Sequence, residues 1–349
     1  MKQKRRLIGG ALVSVLVIAT AFVPVIANAD DHQVVTDTHR FTKIGEGVYL
    51  AQSTAPLFNS NALVLVNDVD VIVVDSHITP QKGRELIASI RKITQKPITK
   101  LINSHFHYDH THGNQVFGPH VEIIGHEFTR LIMAGAPLQE GTFLRGKKGT
   151  SAYLAKLEAD LQAATDETVR AQLQSQRDLQ AKHVQSWAEV QPVAPNVTFK
   201  NRMVIYRGDR EIQLLFLGRA HTAGDISVYL PNEGVIFTGD MMLAGPSWLG
   251  NGYVDEWDET LENLKQLKFD VIVPGHGDAF TDRDRIDLVQ GFYRDLWAKV
   301  ETLNVAGVSV ENAAKTLDMT DYKDTFGISQ VGFDPLAVAR MYVRMEEKQ

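Results

Sequence analysis

Ser104-His105-Phe106-His107-Tyr108-Asp109-His110-Thr111-His112-Gly113 is the stretch from which the rest of the chain is read. It follows a strand-like run, Ile98 to Asn103, and sets four histidines and one aspartate within the eight positions from 105 to 112, where a chain ordinarily turns. Imidazole nitrogens and carboxylate oxygens are ligands of zinc and similar divalent ions, at about 2.0–2.3 Å. His105 and His107 are two positions apart, so on an extended stretch they face one way and can share an ion. Asp109 and His110 are adjacent, point elsewhere and serve a second ion. A lone histidine in a loop is ordinarily solvated; the full His-x-His-x-Asp-His run reads as a metal loop.

Three later polar residues stand at comparable places. His221 lies in Gly218-Arg219-Ala220-His221-Thr222-Ala223-Gly224-Asp225, directly after a strand-like run ending at Leu217. Asp240 closes Phe237-Thr238-Gly239-Asp240, and His276 sits in Pro274-Gly275-His276-Gly277 after the apolar run Val271 to Val273. Upstream, Val71-Ile72-Val73-Val74 is continuously apolar, as expected of a strand covered on both faces, and it ends at Asp75-Ser76-His77. Taken singly, each is equally a capping carboxylate or a surface imidazole. Taken together, polar residues at strand ends are held by rigid elements while their loops leave room for a substrate.

Between these motifs the periodicity alternates. Gly47 to Gln52, Asn61 to Asn67 and Val69 to Asp75 are short β-branched runs, with a hairpin turn at Asn67-Asp68. A helix follows Thr79-Pro80, with Leu86, Ile87, Ile90 and Ile93 at helical spacing. Val121 to Ile124 reads as a strand and Glu127 to Ala134 as a short helix. The glycine-rich segment Gly135 to Thr150 reads as a mobile loop. Tyr153 to Trp187 reads as two polar helices broken near Thr165-Asp166, an insertion over about residues 151–190 that either packs outside or caps a pocket. Strands resume at Arg202 to Tyr206, Glu211 to Leu217, Ile226 to Leu230 and Gly234 to Phe237. Asp255 to Leu267, Arg283 to Leu303 and Pro335 to Glu346 read as helices, the last two within a helical extension over about 282–349.

The first 29 residues are set apart from the fold. Lys2, Lys4, Arg5 and Arg6 precede an apolar run from Leu7 to Val25, and Ala27-Asn28-Ala29 is a small-x-small cleavage signal. This is the pattern of a secretory signal peptide cleaved after Ala29, which makes the mature chain, residues 30–349, periplasmic or secreted. An uncleaved anchor is the alternative. Removing that segment leaves 36 − 4 = 32 Lys and Arg against 42 Asp and Glu. An acidic chain without a basic stripe is a poor nucleic-acid binder. With no cysteine, neither a disulfide framework nor a thiolate metal site is available, so any metal is held by histidine and carboxylate.

The order and spacing of these motifs resemble those of the metallo-β-lactamase superfamily of metal-dependent hydrolases, over about Gly47 to Gly277. The resemblance implies an αββα sandwich, two mixed sheets face to face with helices outside and a metal site at one edge. It implies one ion at His105, His107 and His221, a second at Asp109, His110 and His276, and Asp240 as the carboxylate between them, as in enzymes similar to glyoxalase II. Two departures stand out. The family usually has glycine after Asp75-Ser76, where this chain has His77, so a further imidazole is expected to hydrogen-bond near the site. The family's cysteine-containing β-lactamases have cysteine where Asp240 stands, and its histidine-rich β-lactamases usually lack that Asp, so both fit poorly.

The expected chemistry is hydrolysis of a small-molecule ester, thioester, lactone or lactam. Two ions about 3.5–4 Å apart share a hydroxide as nucleophile, oriented by Asp109 as the catalytic residue. Zinc is the expected metal, with iron or manganese as alternatives. Tyr108 either donates to a developing oxyanion or packs. His112 and Asp225 are candidates to hold the second nitrogens of the ligating imidazoles, and Asp75, at its strand end, is a candidate to reach the site or the substrate. Met241, Trp248, Leu249 and Tyr253 either line an apolar pocket or anchor a loop. Alternatives to the hydrolase are a sulfur dioxygenase with a single iron, a β-lactamase proper, and a metal-binding protein without catalysis. The substrate itself has no readable code in the loops.

Overall fold

The computed structural model describes residues 33–348, so the expected signal peptide over residues 1–29 lies outside the described residues. Eight strands form one sheet in chain order: β1 (Gln33–Val35), β2 (His39–Gly45), β3 (Val48–Ser53), β4 (Ala62–Val66), β5 (Val71–Val74), β6 (Ile98–Ile102), β7 (Glu122–His126) and β8 (Val197–Phe199). The pairings from β1 to β5 are antiparallel and those from β5 to β8 parallel. The second sheet holds β9 (Arg202–Arg207), β10 (Arg210–Leu215), β11 (Ser227–Leu230), β12 (Val235–Gly239) and β13 (Val271–Pro274), antiparallel except for the β12–β13 pair. The helices are α1 (Pro80–Ile93), α2 (Tyr108–Thr111), α3 (Glu127–Ala134), α4 (Gly141–Ala163), α5 (Glu167–Ser186), α6 (Val254–Lys265), α7 (Asp284–Val305), α8 (Val310–Thr316), α9 (Lys323–Phe326) and α10 (Pro335–Glu347).

The two-residue period of the strands sorts their side chains into layers. Leu63, Leu65, Ile72 and Val74 point between the sheets, where they meet Leu214, Val228, Leu230 and Phe237. Their neighbours Val64, Val71 and Val73 point the other way, onto Leu86 and Ile90 of α1. Being covered on both faces is why β4 and β5 read as unbroken apolar runs. The far face of the second sheet, with Leu215, Tyr229, Ile236 and Ile272, is covered by Trp257 and Leu261 of α6, Phe292 and Leu296 of α7 and Met341 of α10. The result is the expected αββα order of layers.

Two local expectations are corrected. Gly135 to Thr150 is not a loop throughout, because α4 begins at Gly141, before the insertion boundary expected near residue 151. The Glu140 carboxylate caps it, accepting from the backbone N–H of Thr142 at 2.7 Å and of Phe143 at 3.2 Å. Gly146 serves packing there: a Cβ at this position would stand 2.2 Å from the Tyr108 Oη, so only glycine lets the helix lie against that ring. The second correction concerns the start of the chain, where β1 and β2 occupy a stretch that reads as merely polar. β2 presents few apolar residues, and its buried face is made by His39 and Phe41.

Candidate metal centre

Five chain segments bring the centre together. β5 ends at Asp75, and the backbone then passes through positive φ at Asp75 (61°) and His77 (71°). A residue at φ above zero favours glycine, which accounts for the glycine expected at position 77. His77 adopts this conformation and turns its ring away from the centre, its Nε2 lying 3.0 Å from the His39 Nε2. The expectation that His77 supports a ligating imidazole is therefore not met; it pairs instead with a buried histidine of β2.

β6 delivers His105 and His107, and the single turn of α2 then swings Asp109 and His110 to one side, with the His110 Nε2 3.2 Å from the Asp109 Oδ2. The loop after β10 supplies His221, whose Nε2 is 2.9 Å from the His107 Nδ1. Asp240 follows β12 and His276 follows β13. The His276 Nε2 is 3.0 Å from the Asp109 Oδ2. The Asp240 Oδ1 lies 3.4 Å from the His110 Nε2, and its Oδ2 lies 3.5 Å from the His221 Nε2 and 3.4 Å from the His276 Nε2. Three overlapping sets of donor atoms each fit within 4.8 Å: His105, His107 and His221; His105, His110 and Asp240; Asp109, His110 and His276.

This arrangement is ill-suited to being a plain hydrogen-bonded core. The His105 Nε2, the His110 Nε2 and the Asp240 Oδ1 are buried and have no hydrogen-bond partner among the described residues, which costs stability unless something else satisfies them. Burial works against both carboxylates, but the His110 and His276 imidazoles beside them outweigh it and hold Asp109 and Asp240 well below the usual carboxylate range. Burial likewise works against charge on His276, but Asp240 and Asp109 raise it to about 10. His105 and His221, buried beside other imidazoles, are pushed down, His221 to about 3. Imidazoles kept neutral by burial at His105 and His221, beside ionised carboxylates that draw protons onto His110 and His276, are the donor set of a divalent cation, which would displace those protons on binding.

The second nitrogens of the rings show how each is aimed. The Asp75 carboxylate accepts from the His110 Nδ1 at 2.7 Å and from the Ser104 hydroxyl at 2.7 Å, while that hydroxyl lies 3.0 Å from the His105 Nδ1. One buried carboxylate thus fixes two rings. The His276 Nδ1 donates to the Asn59 carbonyl at 3.1 Å. The His107 Nε2 lies 3.0 Å from the Asn251 Oδ1. Asn59 and Asn251 are not legible from sequence, since a backbone carbonyl and a side chain reaching in from other loops leave no spacing to find; Ser104 stands in the metal loop itself, where its hydroxyl gives no sign of its role.

Other candidates fall elsewhere. Tyr108 packs in an apolar cluster with Ile78, Phe143 and Trp187, which decides between its two expected roles in favour of packing. The His112 ring faces Tyr108 and Phe143, and its Nδ1 has no partner, so it supports no ligating ring. Asp225 accepts from the backbone N–H and hydroxyl of Thr222 at 2.8 and 2.6 Å, which braces the loop carrying His221 and leaves the His221 Nδ1 unbonded. Burial pushes its carboxyl up to about 7. Met241 and Leu249 belong to the core under α6. The Tyr253 ring lies under the guanidinium groups of Arg219, Arg340 and Arg344. Trp248 alone of that group meets the centre, its ring 5.7 Å from that of His107.

Comparison with known proteins places the chain in a family. The family model described as metallo-beta-lactamase superfamily matches residues 55–276. The chain is 24% identical over 244 residues to a linear primary-alkylsulfatase of Pseudomonas sp., an alignment covering 67% of this chain and 44% of that protein. It is 24% identical over 251 residues to a type 2 metallo-beta-lactamase of Elizabethkingia meningoseptica, covering 68% of this chain and 79% of the other. Among solved structures, a double mutant of the sec-alkyl sulfatase PisA1 superposes with a TM-score of 0.62 at 15% identity, over 88% of this chain and 50% of that one. The chain therefore spans less than half the length of the primary-alkylsulfatase it matches.

Proposed function

Because the chain belongs to the metallo-beta-lactamase superfamily, we propose that it is an exported hydrolase working with two divalent metal ions. His105, His107 and His221 would hold one, Asp109, His110 and His276 the other, and Asp240 would stand between them. The observation that carries this reading is the reach of Asp240, whose two oxygens face His110 on one side and both His221 and His276 on the other. When bound, such an ion pair supplies Lewis acidity and a water acidic enough to attack at neutral pH.

The chain's own groups do the rest. Asp109, ionised and 3.0 Å from the His276 Nε2, is placed to orient the attacking water and to take its proton. Phe58, 58% exposed and stacked on the His276 ring at 5.1 Å, gives an apolar wall on one side. Trp248 against His107 gives the other. Apolar walls beside a polar centre suit a substrate with a hydrophobic arm next to its scissile ester, thioester, lactone or lactam. The alkylsulfatase relative adds alkyl sulfates to the panel worth testing. Zinc is the proposed metal, and the leader pattern of residues 1–29 supports a periplasmic or secreted location.

The test is metal content of the purified mature chain, wild type beside Asp240→Ala, with both assayed on ester, thioester, lactone, β-lactam and primary alkyl sulfate substrates. Two zinc ions per chain with turnover that collapses in the variant support the reading. One iron with oxygen-dependent turnover, or bound metal with no turnover of any substrate, overturns it.

A further inference from the structure

Of the five imidazoles aimed at the centre, His105 and His110 are set by Ser104 and Asp75 at the strand ends that carry the site, and His276 by the Asn59 carbonyl. His107 is different. Its Nδ1 faces the centre, 2.9 Å from the His221 Nε2, so a lone pair on Nδ1 requires the proton on Nε2. That nitrogen lies 3.0 Å from the Asn251 Oδ1, and the same oxygen lies 2.6 Å from the Thr142 Oγ1, which is itself 3.5 Å from the His107 Nε2. Thr142 is in the first turn of α4, the inserted helix, and Asn251 is in the loop before α6.

We propose that Thr142 and Asn251 are positioning residues for His107, and that the inserted α4–α5 hairpin is thereby a working part of the metal centre. Asn251 can accept from the His107 Nε2–H only with its oxygen turned toward the ring, and the Thr142 hydroxyl, closer to that oxygen at 2.6 Å than to the Glu140 Oε1 at 3.2 Å, donates to it and fixes this orientation. A reversed amide would present N–H to Nε2, draw the imidazole proton to Nδ1 and block the lone pair aimed at the centre.

The hairpin is seated so that this contact is maintained. Phe143, next to Thr142, stacks on Trp187 at 5.5 Å and meets Tyr108 edge-on at 5.8 Å. Arg145 pairs with Asp334 at 2.5 Å, and Asp334 also accepts from the Trp248 Nε1 at 3.1 Å. Seating the hairpin and holding an ion at His105, His107 and His221 are therefore coupled, and by linkage each favours the other.

This inference rests on the metal-binding part of the proposed function and is tested without substrate, so absence of turnover leaves it intact. Cobalt(II) is titrated into the metal-free wild type, Thr142→Val, Thr142→Ser and Asn251→Leu chains against a competing chelator, following d–d absorption. Protease cleavage at the α4–α5 bend, Ala164 to Asp166, is followed with and without zinc. The expected result is a loss of about 10- to 100-fold in affinity at one of the two sites in Thr142→Val and Asn251→Leu, recovery in Thr142→Ser, and slower cleavage of the wild type with zinc. Unchanged affinity and spectrum in Thr142→Val, or an equal loss at both sites that Thr142→Ser fails to restore, overturns the proposal. A wild type that binds no cobalt overturns the metal reading itself.

Discussion

The Asp75 carboxylate and the His110 imidazole are both wholly buried and hydrogen-bonded at 2.7 Å, the Oδ2 accepting from Nδ1. The same oxygen takes the Ser104 hydroxyl, and the Oδ1 takes the Ser104 N–H at 2.8 Å. This network leaves the Nε2 of both His105 and His110 free to face the centre. Asp75→Asn cannot satisfy it: with the amide nitrogen toward His110 the imidazole proton moves to Nε2, and with it toward Ser104 two N–H groups collide. Metal affinity should fall by about 10- to 100-fold, measured by chelator competition. An Asp75→Asn chain that retains wild-type affinity would show that the carboxylate only braces the loop.

Much of the centre was legible because its residues sit in one tight run and at three strand ends, where spacing is enough to suggest convergence. Val71 to Val74 and the α1 stripe were legible for the same reason, since burial on two faces or on one imposes a period. What could not be read was direction. His112 lies two residues from His110, but the helical turn of α2 points it at Phe143. His77 follows Asp75 by two, but a left-handed backbone turns it to His39. The glycines of α4 read as a loop because helix propensity is a local quantity, whereas Gly146 is fixed by contact with Tyr108, a residue far away in sequence.

Gly275 supports Asp240 through the absence of a side chain. A Cβ there would stand 2.2 Å from the Asp240 Oδ1 and 2.9 Å from the His110 Cε1. The backbone cannot give way easily, because the Gly275 N–H donates to the Gly239 carbonyl at 2.8 Å and the Gly275 carbonyl accepts from Asn61 at 2.7 Å. Gly275→Ala should cost about 1–3 kcal/mol of stability. By moving Asp240, it should cost about 100-fold in turnover. Thermal denaturation and rates on the best substrate separate the two effects.

Arg344 clamps α10 to α6. Its Nε and an Nη reach both oxygens of Asp255 at 3.1 and 2.9 Å, and that Nη also reaches Glu256 at 2.7 Å. The side chains of Arg344 and Asp255 are 6% and 1% exposed, so removing the cation strands a buried anion. Lys348, 2.7 Å from Asp255, offsets part of that loss. Arg344→Ala should destabilise by about 3 kcal/mol, and Arg344→Lys, which loses the two-pronged geometry but keeps the charge, by less. Urea denaturation at constant ionic strength measures both. Equal stabilities for Arg344→Ala and the wild type would mean that Lys348 alone neutralises Asp255.

The hairpin carries its own acid sensitivity. The His183 Nε2 accepts from the Trp187 indole N–H at 3.1 Å, which requires the neutral ring, and His183 is only 6% exposed. Burial, helped by the Lys82 charge, lowers its pKa from 6.5 to about 4. The sign follows directly: the unfolded hairpin takes up a proton near pH 6.5 and the folded one only near pH 4. The stabilisation is therefore complete above about pH 6.5, declines as the pH falls, and is exhausted below about pH 4. The full difference is about 3 kcal/mol. His183→Gln keeps an acceptor for the indole but cannot titrate, so its hairpin should hold at pH 4.5 where the wild type loosens. Trp187 fluorescence and protease cleavage near Thr165, each followed from pH 7 to pH 4, read this difference; identical profiles for the two chains would assign the acid response to another group.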